Sequence, residues 1–157
     1  MSKENEQKNL ILTRFCGEEI YPIETATWHL YENKDGLNEL WLEIESDFGI
    51  QLSDDTKDLG GQPHWELTFR IKDLKKSELK VGFRATIKNG YDEELEDSLT
   101  NFYYCEHQPT DNNEIEIIDI NETKILFRII GEVTDVNYYD GSKPKNKIYV
   151  ETWFDED

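Results

Sequence analysis

Apolar residues fall at every second position through most of this chain, the period of a strand with one buried face. The pattern is firmest near the end. Ile125, Phe127, Ile129, Gly131 and Val133 share one face, and Ile148, Val150, Thr152 and Phe154 share one on the return. Between them, Asp140-Gly141-Ser142-Lys143-Pro144 supplies a reversal, because Gly accepts positive φ and Pro fixes φ. The pattern predicts a hairpin over 123–154.

The same alternation predicts a second hairpin over 23–45. Ala26, Trp28 and Leu30 line one face, Asp35-Gly36 closes the turn, and Leu40, Leu42 and Ile44 line the return. Trp65, Leu67, Phe69 and Ile71 then alternate with Glu66, Thr68, Arg70 and Lys72. Leu79, Val81, Phe83, Ala85 and Ile87 alternate with Lys80, Gly82, Arg84, Thr86 and Lys88, which predicts a half-buried strand. Val81, Phe83, Ala85, Ile87, Phe127 and Ile129 are therefore expected in the core. Shorter apolar runs at 10–15, 48–52, 102–105 and 115–120 read as further strands, and 53–63 and 108–113 as loops. At 91–99 the spacing of Tyr91, Leu95 and Leu99 is also that of a short helix.

About eight or nine short strands separated by turn signals predict an all-β fold, an antiparallel β-sandwich or partly open barrel, with room for one short helix. Residues 1–9 read as a tail, 10–154 as a single domain and 155–157 as a frayed acidic end. The 157 residues suit one domain, and 36% hydrophobic content supplies a core.

Charge changes the picture. Against 17 bases stand 35 acids, a formal net charge of −18. Such a surface repels phosphate, so neither nucleic acid nor an anionic membrane is an expected partner. It attracts basic proteins, cationic peptides and divalent cations, and it also keeps a protein soluble. No apolar run has the length of a membrane span or a signal peptide. Cys16 and Cys105 match no redox or zinc spacing and read as reduced thiols of a cytoplasmic protein.

Candidate chemistry is sparse. Asp135 to Gly141 resembles the start of a calcium loop, but its third acid comes one residue late and Asn146 stands where a closing Glu belongs. A simple turn is the expectation there. His29, His64 and His107 lie in separate segments without metal-pair spacing, so no metal or other cofactor is expected. Nucleophile elbows and phosphate-cradling glycine motifs are absent from the sequence. With 35 acids, no carboxylate pair can be singled out for glycosidase chemistry.

The dense acids Asp92, Glu93, Glu94, Glu96 and Asp97 read either as a solvated face or as a surface that steers a basic partner. Tyr138, Tyr139 and Trp41, with Trp153, are candidate anchors at such an interface. Arg70, Lys72, Lys80, Arg84 and Lys88 fall outward on what reads as two neighbouring strands, paired with acids such as Glu66 and Glu78.

In size, charge and the closing segment 131–141, the chain resembles the small acidic β-rich immunity proteins of bacterial polymorphic toxin systems. The resemblance implies a protein that binds a cognate toxin, often over its active site, and is not an enzyme. It transfers no functional residue. The expectation is a non-catalytic module that binds a basic protein. The alternative is a small-ligand or carbohydrate-binding β-sandwich, with an enzyme third.

Overall fold

The computed structural model describes residues 8–157. Its strands are β1 (Asn9–Arg14), β2 (Gly17–Tyr31), β3 (Leu37–Ser46), β4 (His64–Lys72), β5 (Arg84–Ile87), β6 (Tyr91–Asp92), β7 (Asp97–Ser98), β8 (Thr100–Tyr103), β9 (His107–Gln108), β10 (Asp111–Asn121), β11 (Lys124–Val133) and β12 (Asn146–Glu156). Ten of them form one sheet in the order β5-β10-β11-β12-β1-β2-β3-β4-β8-β9, while β6 and β7 pair separately. Neighbours are antiparallel, and the sheet does not close into a barrel. Among the described residues no helix is long and apolar enough to cross a membrane.

The predicted faces are the observed ones. Ile125, Phe127, Ile129 and Val133 on β11, and Ile148, Val150 and Phe154 on β12, are buried. So are Leu40, Leu42 and Ile44 on β3 and Trp65, Leu67 and Phe69 on β4. Because strand side chains alternate, each of these rows sends polar residues to the outer face.

The long strand β2 folds the sheet over its own core. Its first part pairs with β1 and its later part with β3, with a register shift between Ile23 and Thr25. Such a bulge bends the strand and increases its twist. Trp65 of β4 thereby meets β11, although four strands lie between them in the sheet. A Cβ on Gly131 would lie 2.8 Å from Trp65 Cζ2 and 2.6 Å from Asn113 Oδ1. Glycine is what lets the halves approach. The Trp65 indole packs edge-on against Phe102, and Phe127 packs edge-on against Phe154 at 5.2 Å.

Several expectations are corrected. The strand over 79–88 is only β5, because Lys80 to Phe83 make a turn with Gly82 at φ +94°. Val81 is 61% exposed, and Phe83 and Ala85 are half-buried, while Ile87 is in the core. No helix forms at 91–99: Tyr91 pairs with Ser98 and Asp92 with Asp97. The 48–52 run makes an isolated bridge, Ile20 to Gln51, in place of a strand. The acidic end is not frayed. Asp155 and Glu156 extend β12 and pair in parallel with Thr27 and Trp28, and Asp157 N–H donates to Trp28 O at 2.9 Å. Of the expected tail, residues 1–7 lie outside the described residues, whereas Asn9 opens β1 and Lys8 O accepts from Ile23 N–H.

Candidate functional site

The acids form a hairpin. Asp92 Oδ1 accepts from the N–H groups of Glu94 and Leu95 at 2.9 and 3.1 Å, which tightens the turn. Glu96 takes the left-handed conformation at φ 51° and carries the chain into β7. Glu93, Glu94, Glu96 and Asp97 are exposed and Asp92 is half-buried.

This hairpin roofs an open cleft of about 920 Å³. The cleft marks where the sheet fails to close. β5 is the terminal strand, and β8 covers β4 only over His64 to Leu67. Beyond that point Phe69 and Ile71 of β4 and Ile87 of β5 form an apolar floor. Asp92, Glu93 and Glu94 form an acidic lip. Tyr91 and Leu95, 46% and 53% exposed, put apolar surface on the same hairpin. Arg70 ties the lip to the sheet through Glu39 at 3.3 Å and Asp97 at 3.8 Å. Of the basic residues, Arg70 and Arg84 pair with acids of adjacent strands, Arg84 with Glu116, but not with Glu66 or Glu78, and β4 and β5 are not neighbouring strands.

The aromatic candidates lie elsewhere. Tyr138 is exposed in the loop after β11, edge-on to Phe15 at 5.9 Å. Lys143 Nζ stands 4.9 Å from the Phe15 ring and 5.1 Å from that of Tyr138. Tyr139 is half-buried beside Cys105 and Glu106, and burial pushes its phenol up to about 12. It is not an exposed anchor. Trp41 is half-buried on the outer face of β3 between His29 and Thr68, and Trp153 is half-buried opposite Leu126. Among the described residues no hydrogen bond, ion pair or ring contact joins the acids to these aromatics.

Sequence reasoning missed a buried polar network. Arg14 Nη1 donates to Glu19 Oε2 at 3.1 Å and to Ser53 Oγ at 2.9 Å. Its other nitrogens hold Asp135. Glu19 also accepts from Ser53, Thr56 and Tyr21, whose hydroxyl is bonded to that of Tyr104 at 2.8 Å. The Arg14, Glu19 and Asp135 side chains are wholly buried. They cannot touch a substrate; they pin the end of β1, the start of β2, the loop at 53–56 and the loop after β11. Asp135 Oδ2 also accepts from the N–H groups of Asn137 and Tyr138, each at 3.0 Å, and the Asn146 amide, once turned nitrogen-first toward the carboxylate, donates to Oδ1 at 2.8 Å. Both oxygens of the lead acid in the calcium-like segment are engaged within the protein.

A second missed group lies on the outer face of β3 and β4. The register sets Glu43 opposite Glu66 and Glu45 opposite His64. His64 Nε2 is 3.1 Å from Glu43 Oε2 and 3.4 Å from Glu66 Oε1. Burial raises the Glu43 carboxyl above its ordinary value, opposed by His64 and reinforced by Glu66. The histidines are separate from one another, as expected, but His64 is not isolated from other donor groups. The alternation L-W-L-E-I-E and H-W-E showed that these four face outward. Only the strand register brings them together.

Compared with protein-family models, curated proteins and solved structures, the chain matches none.

Proposed function

We propose that this protein is a non-catalytic binding module for a basic protein partner, and that the open seam between β4 and β5 receives it. One observation carries the reading: the densest acidic run in the chain puts Asp92, Glu93 and Glu94 on the lip of the apolar-floored cleft. The two halves of that arrangement do different work. Exposed carboxylates raise the encounter rate with a cationic surface but add little to the bound state. Ile71 on the floor, with the exposed Tyr91 and Leu95 on the hairpin, offers area that an apolar side chain of the partner can cover. The net charge of −18 extends the attraction beyond the lip. Neutralising a basic toxin, in the manner of the immunity proteins the chain resembles, is one form such binding would take.

The test compares association kinetics of wild type and a variant with Asn or Gln at Asp92, Glu93, Glu94, Glu96 and Asp97, against the basic partner recovered from the native cell. The expected result is slower association at low salt, with dissociation little changed. The difference should vanish at high salt, since the Debye length falls from about 10 Å at 0.1 M to about 3 Å at 1 M. An unchanged association rate at low salt in a folded variant would reduce the cluster to a solvated face.

A further inference from the structure

Four donor side chains stand in a two-by-two block on the outer face of β3 and β4, away from the seam cleft and independent of the partner reading. Leu42, Ile44, Trp65 and Leu67 are buried beneath them, so the backbone that carries the block is fixed from below. Donors on packed strands keep their geometry better than donors on loops.

The block is electrostatically unsettled. Glu43 and Glu66 are directly opposed across the ladder, and like charges in that position destabilise a sheet. Glu45 lies beside them, opposite His64. Three carboxylates therefore meet one imidazole, on a protein already at −18. A divalent cation would balance them more completely than an imidazolium.

The distances suit one ion. One donor atom each from Glu43, Glu45 and His64 lies within 4.8 Å of the others. The His64 Nε2 to Glu43 Oε2 distance is 3.1 Å, and that to Glu66 Oε1 is 3.4 Å. Zinc bonds of about 2.0–2.1 Å in a tetrahedron place neighbouring ligand atoms roughly 3.3–3.5 Å apart. Glu45 stands farther off, with Oε2 accepting from Thr25 Oγ1 at 3.2 Å, and its carboxylate must turn toward His64 to share an ion. A polar hollow of about 240 Å³, lined in part by Glu24, Glu45, Ser46 and His64, opens beside the block. It leaves room for water to complete the coordination.

We propose that Glu43, Glu45 and His64, backed by Glu66, bind one divalent transition-metal ion of the zinc type. An imidazole nitrogen among carboxylates selects such an ion over calcium or magnesium, which take oxygen donors. Three protein ligands and an adjoining hollow make an open site, unlike the four-ligand closed cage of a structural zinc. Binding requires His64 to be neutral, so the ion displaces any proton held between the histidine and its carboxylates.

The experiment is calorimetric titration of chelator-treated protein with zinc chloride in excess magnesium, which occupies indifferent surface carboxylates. Cobalt chloride absorption serves as a second probe. Expected is one saturable site per chain, with cobalt absorption typical of a nitrogen- and oxygen-bound ion. Affinity should fall at least tenfold in His64→Ala and in Glu43→Gln, and should stay within twofold in His107→Ala and in the double variant Glu93→Gln, Glu94→Gln. These positions are on the surface or partly exposed, and matching thermal melts would confirm that each variant folds. Absence of a saturable one-to-one site overturns the proposal. So does a site that survives His64→Ala, or one lost equally in the control variants.

Discussion

Arg14 Nε and Nη2 grip the two carboxylate oxygens of Asp135 at 2.9 and 2.8 Å, across 121 positions of sequence. A planar guanidinium meeting a carboxylate in this two-pronged way gives direction as well as strength. Neither side chain is exposed, and removing Asp135 leaves two Arg14 donors and the N–H groups of Asn137 and Tyr138 without their acceptor, although Glu19 still balances the Arg14 charge. Asp135→Ala should therefore cost about 2–4 kcal/mol. Denaturant titration of wild type and variant measures it; a loss under about 1 kcal/mol would show that water or a neighbour replaces the carboxylate.

The same pair sets a pH dependence. Burial works to raise the Asp135 carboxyl, but the Arg14 hydrogen bond, the Asn137 and Tyr138 N–H groups and the Arg14 charge outweigh it, and the net shift is downward. A folded-state value below the unfolded one, about 3.9, gives stability that is complete above that value. It is lost as pH falls through the folded value. Asp135→Asn should be less stable than wild type at neutral pH, and the gap should narrow in acid. Parallel acid limbs for the two proteins would remove Asp135 from the account.

Gly131 is tested by adding one methyl group. In Gly131→Ala the new Cβ meets the Trp65 ring and Asn113 Oδ1 inside their normal contact distances. Either the halves separate or Trp65 leaves its place against Thr110, to which its indole N–H donates at 3.2 Å. The expected cost is about 1–3 kcal/mol, seen as a lowered thermal midpoint with altered tryptophan fluorescence. A variant as stable as wild type, with the same spectrum, would mean that the halves are loosely packed.

Phe83 and Phe127 separate the periodicity of the sequence from actual burial. Both fall on the apolar side of an alternating run, yet Phe127 is fully buried and Phe83 only partly. Phe127→Ala should cost about 3–5 kcal/mol, and Phe83→Ala clearly less. Equal losses in chemical denaturation would put the whole 79–88 run back in the core.

Alternation told which side of each strand is apolar, and that was enough to identify an antiparallel all-β domain. It carried no information about which strands become neighbours. β4 and β5 follow one another in sequence yet end on opposite sides of the seam, so the cleft was not visible until the sheet order was known. The density of Asp92 to Asp97 was plain in the sequence, but the apolar floor beneath it was not. The alternation in β3 and β4 puts Glu43, Glu45, Glu66 and His64 on an outer face, but only the register brings them together, and a one-residue slip would scatter them. Arg14 ends an apolar run and Asp135 opens the calcium-like segment, and nothing in either stretch marked the other as its partner. Val81 failed for a local reason: the positive φ of Gly82 turns the chain where the alternation ran on unbroken.

The position of β12 in the sheet also bears on how the chain is made. It lies between β11 and β1, and so joins the strands at the start of the chain to β5, β10 and β11. It follows β1 to β11 in the chain, and so is synthesised after them. Until it emerges, β1 has β2 on one side and an open edge on the other, and the core faces of the two groups have no common frame. Exposed edges of that kind recruit other chains. The nascent chain must therefore hold an unfinished sheet until β12 emerges, and it reaches its native pairing only when that strand fills the gap.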